Sequence, residues 1–215
     1  MRDAAGLPRY FISQVQDITA RKQLQEALRE QAIRDPLTGL YSRRYLDDIL
    51  PPELQRCAMS GEPLTIAMLD LDHFKRFNDG YGHEAGDSVL RAVGQALRKA
   101  MRGSDIACRY GGEELTVVLP GATLGRARRR LAEVQGVLTS LHLHHRGQAL
   151  PAVTASIGLA AAQPGETASA LLGRADAALY RAKAQGRDCI VAADRPRSTL
   201  GQSPASMRVS AQAAN

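Results

Sequence analysis

Arg109-Tyr110-Gly111-Gly112-Glu113-Glu114-Leu115 is the stretch around which the rest of the chain is organised. Two glycines precede two adjacent acids. Apolar runs flank them, Ile106-Ala107-Cys108 before and Leu115-Thr116-Val117-Val118-Leu119 after. Two such runs joined by Gly-Gly predict a β-hairpin with its tip at Gly111-Gly112. Glycine accepts positive φ and admits a ligand close to the backbone. Taken alone, the stretch is equally a plain hairpin turn with solvated acids, so its meaning depends on what neighbouring elements bring to it.

Upstream, Leu64-Thr65-Ile66-Ala67-Met68-Leu69 is a continuous apolar run that predicts a buried central strand. It ends in Asp70-Leu71-Asp72. Residues two apart in a strand share a face, so both carboxylates can point at one hard cation. An isolated Asp-x-Asp is also an ordinary solvated strand end. A segment dense in polar groups follows, Phe74 to Asp79 and Tyr81 to Asp87, at the place where α/β sheets bind ligands. An amphipathic helix is expected over about 87–101, with Val89, Leu90, Val93, Ala96 and Leu97 on one face. His83 by itself reads as a structural hydrogen-bonder.

Downstream, 122–140 predicts a helix striped by Leu124, Ala127, Leu131, Val134 and Leu138. Arg126, Arg128, Arg129 and Arg130 crowd its first half as a solvated basic face. His142, His144 and His145 read as a polar loop, since no Cys or Asp nearby completes a metal site. A strand over 153–159, a helix over 168–185 closed by Gly186 and a last strand over 189–192 complete the order. Lys183 and Arg187 stand where cations complement a helix dipole. Ahead of the first strand, Asp35-Pro36-Leu37-Thr38-Gly39-Leu40 is a turn. A helix from about Ser42 to Leu50 follows, and Pro51-Pro52 is expected to stop it. Nearer the N-terminus, 9–16 predicts a strand and 20–33 a helix, with Asp17 or Thr19 as its cap.

The 215 residues are 44% hydrophobic and 23% charged, an ordinary globular balance. There is neither an apolar run long enough to span a membrane nor an apolar secretion-signal core, so a cytoplasmic location is expected. Three widely spaced cysteines, Cys57, Cys108 and Cys189, fit reduced thiols. A net charge of +6 favours anionic partners, nucleotide or nucleic acid alike. The low aromatic content and absence of tryptophan argue against a base-stacking nucleic-acid surface.

Between 64 and 192 the order is β-α-β-β-α-β, then α-β. That predicts an α+β fold, a central, mostly antiparallel sheet covered by helices. If strand 64–69 pairs beside the hairpin, three or four carboxylates meet. Such a cluster repels itself unless a divalent cation sits in it. Acids, a cation and nearby Lys and Arg are the requirements of phosphoryl and nucleotidyl transfer.

Four motifs, in order over about 34–193, resemble the GGDEF family of diguanylate cyclases. They are Asp35-x-Leu37-Thr38-Gly39-Leu40-x-x-Arg43-Arg44, then Asp70-x-Asp72-x-Phe74-Lys75-x-x-Asn78-Asp79-x-x-Gly82-His83-x-x-Gly86-Asp87. Gly111-Gly112-Glu113-Glu114 and Asp176-x-Ala178-Leu179-Tyr180-x-Ala182-Lys183-x-x-Gly186-Arg187 follow. The resemblance implies a palm-like, class III cyclase-like fold. It implies condensation of two GTP into cyclic di-GMP and two pyrophosphates by a homodimer, with Mg²⁺ (or Mn²⁺) as cofactor. By position, Asp70, the Leu71 carbonyl and Glu114 would hold the metal, and Glu113, Glu114 and Lys75 would carry the chemistry. Asn78 and Asp87 would read guanine. Lys75, Lys183 and Arg187 would bind phosphates, with His73, Phe74, Gly111 and Gly112 lining the substrate. Arg102-x-x-Asp105 matches the family's inhibitory site for the product. Neither a nucleic-acid partner nor a membrane segment is implied.

Residues 1–19 are similar to the closing strand of a PAS-type sensor domain, 20–33 to its linker helix, and 194–215 has the composition of a disordered tail. Leu115 stands where the family has phenylalanine, Glu113 where its name has aspartate and Ser42 where asparagine is usual. A catalytically inactive module acting as a receptor for GTP or cyclic di-GMP is the competing reading, and Leu115 is its one support. A polymerase palm or mononucleotide cyclase is disfavoured by Asn78 and Asp87.

Overall fold

The computed structural model describes residues 16–19, 21–22 and 33–194. Its elements are β1 (Tyr41–Ser42), α1 (Arg43–Ser60), β2 (Leu64–Leu71), α2 (Phe74–Tyr81), α3 (His83–Ala100), β3 (Ile106–Gly111) and β4 (Glu114–Pro120). Then come α4 (Leu124–Thr139), β5 (His144–His145), β6 (Gln148–Ala149), β7 (Ala155–Ala161), α5 (Ala168–Ala184) and β8 (Ile190–Ala192). One six-stranded sheet has the order β1-β3-β4-β2-β7-β8, and β5 and β6 form a separate pair. The inner pairings are antiparallel and the two edge pairings, β1–β3 and β7–β8, are parallel. The α+β class and the mostly antiparallel sheet are as expected.

Every residue of β2 is buried, because helices cover both faces of the sheet. Leu64, Ile66 and Met68 pack with Leu46, Leu50 and Cys57 of α1 and with Leu171, Ala175 and Leu179 of α5. Ala67, Leu69 and Leu71 pack with Val89, Val93 and Leu97 of α3 and with Leu131 and Val134 of α4. Each fully buried leucine contributes about 1.5–3 kcal/mol. Leu115 is 1% exposed and belongs to this second core, so an aliphatic side chain fits the position.

Several boundaries differ from the sequence expectation. The hairpin tip is Gly112-Glu113, since Gly111 still pairs with Glu114, and a register shift between Arg109 and Gly111 makes Tyr110 the extra residue of a bulge. Gly112 takes the left-handed turn (φ 40). Pro51 and Pro52 do not stop α1, which runs to Ser60. The carbonyls of Asp47 and Asp48, which lose their N–H partners there, belong to exposed residues. Burial of Leu46 and Leu50 before the prolines and Cys57 after them holds both halves. Ser42 caps α1, its Oγ accepting from the Tyr45 N–H (3.3 Å). The polar segment after β2 is helical, and α3 starts four residues ahead of Asp87. The His142–His145 loop is instead half of a small hairpin, turned by Arg146 and Gly147 at φ 49 and 78. Two positive φ values in a two-residue connection match the twist of paired strands.

The expected strand at 9–16 and most of the sensor remnant, linker helix and tail lie outside the described residues. In the described part, Asp17 fills the capping role, its Oδ1 accepting from the Thr19 N–H (2.8 Å). All three cysteines are free thiols.

Candidate active site

β2 and β4 are neighbours, and Asp70 lies opposite Glu114 in their register. Directly opposed residues project to the same face, so the two carboxylates share the α1–α5 side. Asp70 is 7% exposed. Its Oδ2 lies 2.8 Å from the Lys183 Nζ of α5. Burial pushes the Asp70 carboxyl above its ordinary pKa, and the negative charges of Glu113 and Asp72 push the same way. The hydrogen bond and charge of Lys183 pull against them. Glu113 at the tip is therefore within electrostatic reach of Asp70. Glu114 lines a cavity of about 510 Å³ together with Arg43 of the opening motif and Asp176 of the closing one.

Asp72 does not share Asp70's task, because β2 ends at Leu71 and the next carboxylate turns inward. Its Oδ1 accepts from Ser156 Oγ (2.6 Å), and its Oδ2 accepts from Thr154 Oγ1 (2.7 Å) and the Asp188 N–H (3.0 Å). The expectation that Asp70 and Asp72 face one cation is thus corrected. Asp72 instead ties the end of β2 to β7 and to the loop after α5. In that loop Arg187 and Asp188 both hold left-handed φ values, 68 and 44. The Arg187 N–H donates to the Ala182 carbonyl (3.1 Å), completing a Schellman turn around Gly186. Lys183 therefore reaches Asp70 from the end of α5, and the loop that carries Arg187 is tied through Asp188 to Asp72.

The hairpin tip is braced by Arg109. Its Nε donates to the Gly112 carbonyl (2.9 Å) and its Nη1 to Asp35 Oδ2 (3.1 Å). Asp35 also accepts from the Thr38 N–H and Oγ1 (2.8 and 2.7 Å), closing the opening-motif turn. Burial works against ionisation of Asp35, but the Thr38 hydrogen bonds and the Arg109 guanidinium outweigh it and hold its pKa below the ordinary value. Sequence reading missed Arg109, whose partner lies 74 residues away.

On the opposite layer, α2 starts at Phe74 after His73, which has φ 57 and offers no side-chain cap. The first N–H groups of this helix have no intrahelical partners, a disposition that suits phosphate. Lys75 is exposed beside them. Asn78 of α2 packs on Gly86 of α3, the residue before half-buried Asp87.

Arg102 and Asp105 close a turn before β3. The Arg102 N–H donates to Asp105 Oδ2 (2.8 Å) and the Asp105 N–H to the Arg102 carbonyl (3.0 Å). Arg102 is exposed, whereas the Asp105 carboxylate is buried and ion-paired with Arg130 of α4. Arg130 thus leaves the solvated basic face assigned to it. The signal was its helical phase: it flanks the buried Ala127-Leu131-Val134 stripe.

Among the described residues, no three of His, Cys, Asp and Glu gather as a ready-made metal cluster. The expected meeting of three or four carboxylates is reduced because Asp72 is hydrogen-bonded elsewhere and Lys183 pairs with Asp70. The donors that remain, Asp70, Glu114 and the Leu71 carbonyl, are all oxygens, and the electrostatic load on Asp70 favours a cation, so the set fits Mg²⁺ or Mn²⁺. No helix among the described residues is long and apolar enough to cross a membrane.

Comparison with known proteins agrees with this geometry. Residues 32–189 match the family model described as diguanylate cyclase, GGDEF domain. The chain is 42% identical over 176 residues to the diguanylate cyclase DgcP of Pseudomonas aeruginosa, covering 82% of this chain and 26% of that protein. It is 41% identical over 164 residues to the response regulator PleD of Caulobacter vibrioides, covering 75% of this chain and 36% of that protein. The chain thus spans about a quarter to a third of these relatives. A crystal structure of the coiled coil and GGDEF domain of DgcB from Caulobacter crescentus, in complex with c-di-GMP, superposes with a TM-score of 0.79 at 34% identity. The match covers 82% of this chain and 93% of that one. By motif, fold and relatives, the chain belongs to the GGDEF-domain diguanylate cyclase family.

Proposed function

We propose that this chain is the catalytic module of a diguanylate cyclase, which condenses two GTP into cyclic di-GMP and releases two pyrophosphates. The carrying observation is the Asp70–Glu114 pairing across β2 and β4, with Glu113 at the adjoining tip and Lys183 on the same edge. Asp70, Glu114 and the Leu71 carbonyl would hold Mg²⁺. When bound, the metal neutralises phosphate charge and acidifies the attacking hydroxyl. Glu113 is the tip acid available to the 3′-hydroxyl. Lys75, Arg187 and the backbone at His73 and Phe74 take the phosphates. Lys183, 34% exposed, can exchange Asp70 for a phosphate once that carboxylate is committed to the metal. Gly111 and Gly112 leave the backbone open to the substrate. Asp87 accepts from the N1–H and N2–H₂ of guanine, which adenine lacks, and Asn78 meets an acceptor of the base.

One subunit holds one GTP, so joining two requires a homodimer with facing sites. Exposed Arg102, beside Asp105, is offered as the contact through which cyclic di-GMP inhibits; the complex of DgcB with c-di-GMP supports product binding in a relative. Leu115 gives no support to a receptor-only reading, because it packs in the core on the strand face opposite Glu114.

The test is incubation with Mg²⁺ and either GTP or ATP, followed by chromatography of the nucleotides. Cyclic di-GMP from GTP alone is expected. Binding of guanine nucleotide without any cyclic product would replace the proposal with the receptor reading.

A further inference from the structure

We propose that Gly86 is a positioning residue for the base of the nucleotide: its missing side chain is the space in which the Asn78 amide is held. The inference rests on reading this site as a GTP site.

Gly86 lies in the interior of α3, where glycine is less favourable than alanine. It is not among the glycines with positive φ, so its backbone does not call for glycine. What does is space. A Cβ built on Gly86 would overlap Asn78 Oδ1 outright and lie 3.0 Å from Asn78 Cγ and 3.1 Å from Phe74 Cζ. Asn78 Oδ1 is buried and has no hydrogen-bond partner among the described residues. The amide oxygen is thus pressed inward on bare backbone, and the NH₂ end is the donor left for a base. The orphaned oxygen gives Asn78 no anchor of its own, so sterics alone hold the amide.

Gly94, two turns further along α3, shows the contrast. A Cβ there would meet the Thr38 main-chain carbonyl oxygen at 2.6 Å and Thr38 Cβ at 2.9 Å. Backbone cannot step aside, so Gly94 serves the fold. At Gly86 the chief obstacle is the end of one side chain, which can rotate away. Substitution there should spare the fold and displace the guanine reader.

The experiment compares wild type, Gly86→Ala, Asn78→Ala and the double variant, using a non-hydrolysable GTP analogue with Mg²⁺, the matching ATP analogue, and thermal melting. Gly86→Ala is expected to weaken binding of the GTP analogue about tenfold, the effect of one lost hydrogen bond. It should melt no lower than wild type. In the Asn78→Ala background the same substitution should change binding by less than about twofold, since the residue through which it acts is gone. Three results would overturn the inference alone: unchanged binding in Gly86→Ala, an equal loss in both backgrounds, or a markedly lowered melting temperature. Wild type that does not prefer the GTP analogue over the ATP analogue would overturn the GTP-site reading, and the inference with it.

Discussion

Asp70 carries an electrostatic demand that one lysine only partly answers: a buried carboxylate within reach of the charges of Glu113 and Asp72, with Lys183 as its counter-ion. Removing Glu114, its partner across the strands, takes away a proposed metal ligand, and its side chain makes no hydrogen bond or ion pair among the described residues. Glu114→Ala should therefore lower cyclic di-GMP formation by at least about a thousandfold, since metal stabilisation of phosphoryl transfer is worth several kcal/mol. The melting temperature should hold, and near-normal turnover would refute the ligand role. Two arginines near the Arg102-x-x-Asp105 turn separate in the same way. Arg102→Ala should relieve inhibition by added product without altering stability. Arg130→Ala strands the buried Asp105 carboxylate and should cost about 3–5 kcal/mol in denaturant unfolding. An Arg102→Ala inhibition curve that matches wild type would remove Arg102 from the site. Both members of Arg102-x-x-Asp105 were legible as letters. The burial of Asp105 was not, because its partner is one of four arginines that look alike until the helix is phased.

At the scale of elements, the hairpin tip is held by a turn far away in sequence. Asp35 is held ionised below its usual range, so the unfolded chain binds more protons than the native one around pH 3.8. Its stabilisation is therefore complete above that value and disappears as pH falls through the lower native pKa. Asp35→Asn should cost about 1–3 kcal/mol near neutrality. The gap from wild type should close progressively below about pH 4, as melting scans across pH would reveal. A gap that is constant down to pH 2 would show that charge plays no part. In α1, Pro51→Ala restores a backbone donor and should raise stability by about 1–3 kcal/mol; a drop would mean the proline shapes the helix usefully. The elements themselves were legible: apolar runs marked β2 and β4, periodicity marked α3 and α4, and Gly186 marked the end of α5. What failed were local breaks, since tertiary burial of Leu50 and Cys57 overrode Pro51-Pro52, and two-residue strands at His144 and Gln148 are too short for alternation to register.

Across the whole molecule, the sheet order makes the site. Placing β2 between β4 and β7 brings the hairpin acids to Asp70 on one side and Lys183 of α5 on the other. Asp72 links that centre to the Arg187 loop. Asp72→Ala should therefore raise KM for GTP more than it lowers kcat, through loss of a held phosphate contact. An effect on kcat alone would place Asp72 in the chemistry instead. The Asp-x-Asp spacing left this aspartate open to a cation or to solvent, and its actual partners on β7 and the Arg187 loop could not be read from it. Strand geometry stops at Leu71, and only the fold tells where the next carboxylate turns. The requirement for two facing subunits belongs to this scale too. Rate against protein concentration is its direct readout: purified chain, saturating GTP and Mg²⁺, and cyclic di-GMP quantified at a series of concentrations. A rate rising more steeply than linearly at low concentration, and becoming linear once subunits are paired, is predicted. No cyclic di-GMP at any concentration, or a strictly linear rate from a chain that remains monomeric, would contradict a homodimeric diguanylate cyclase.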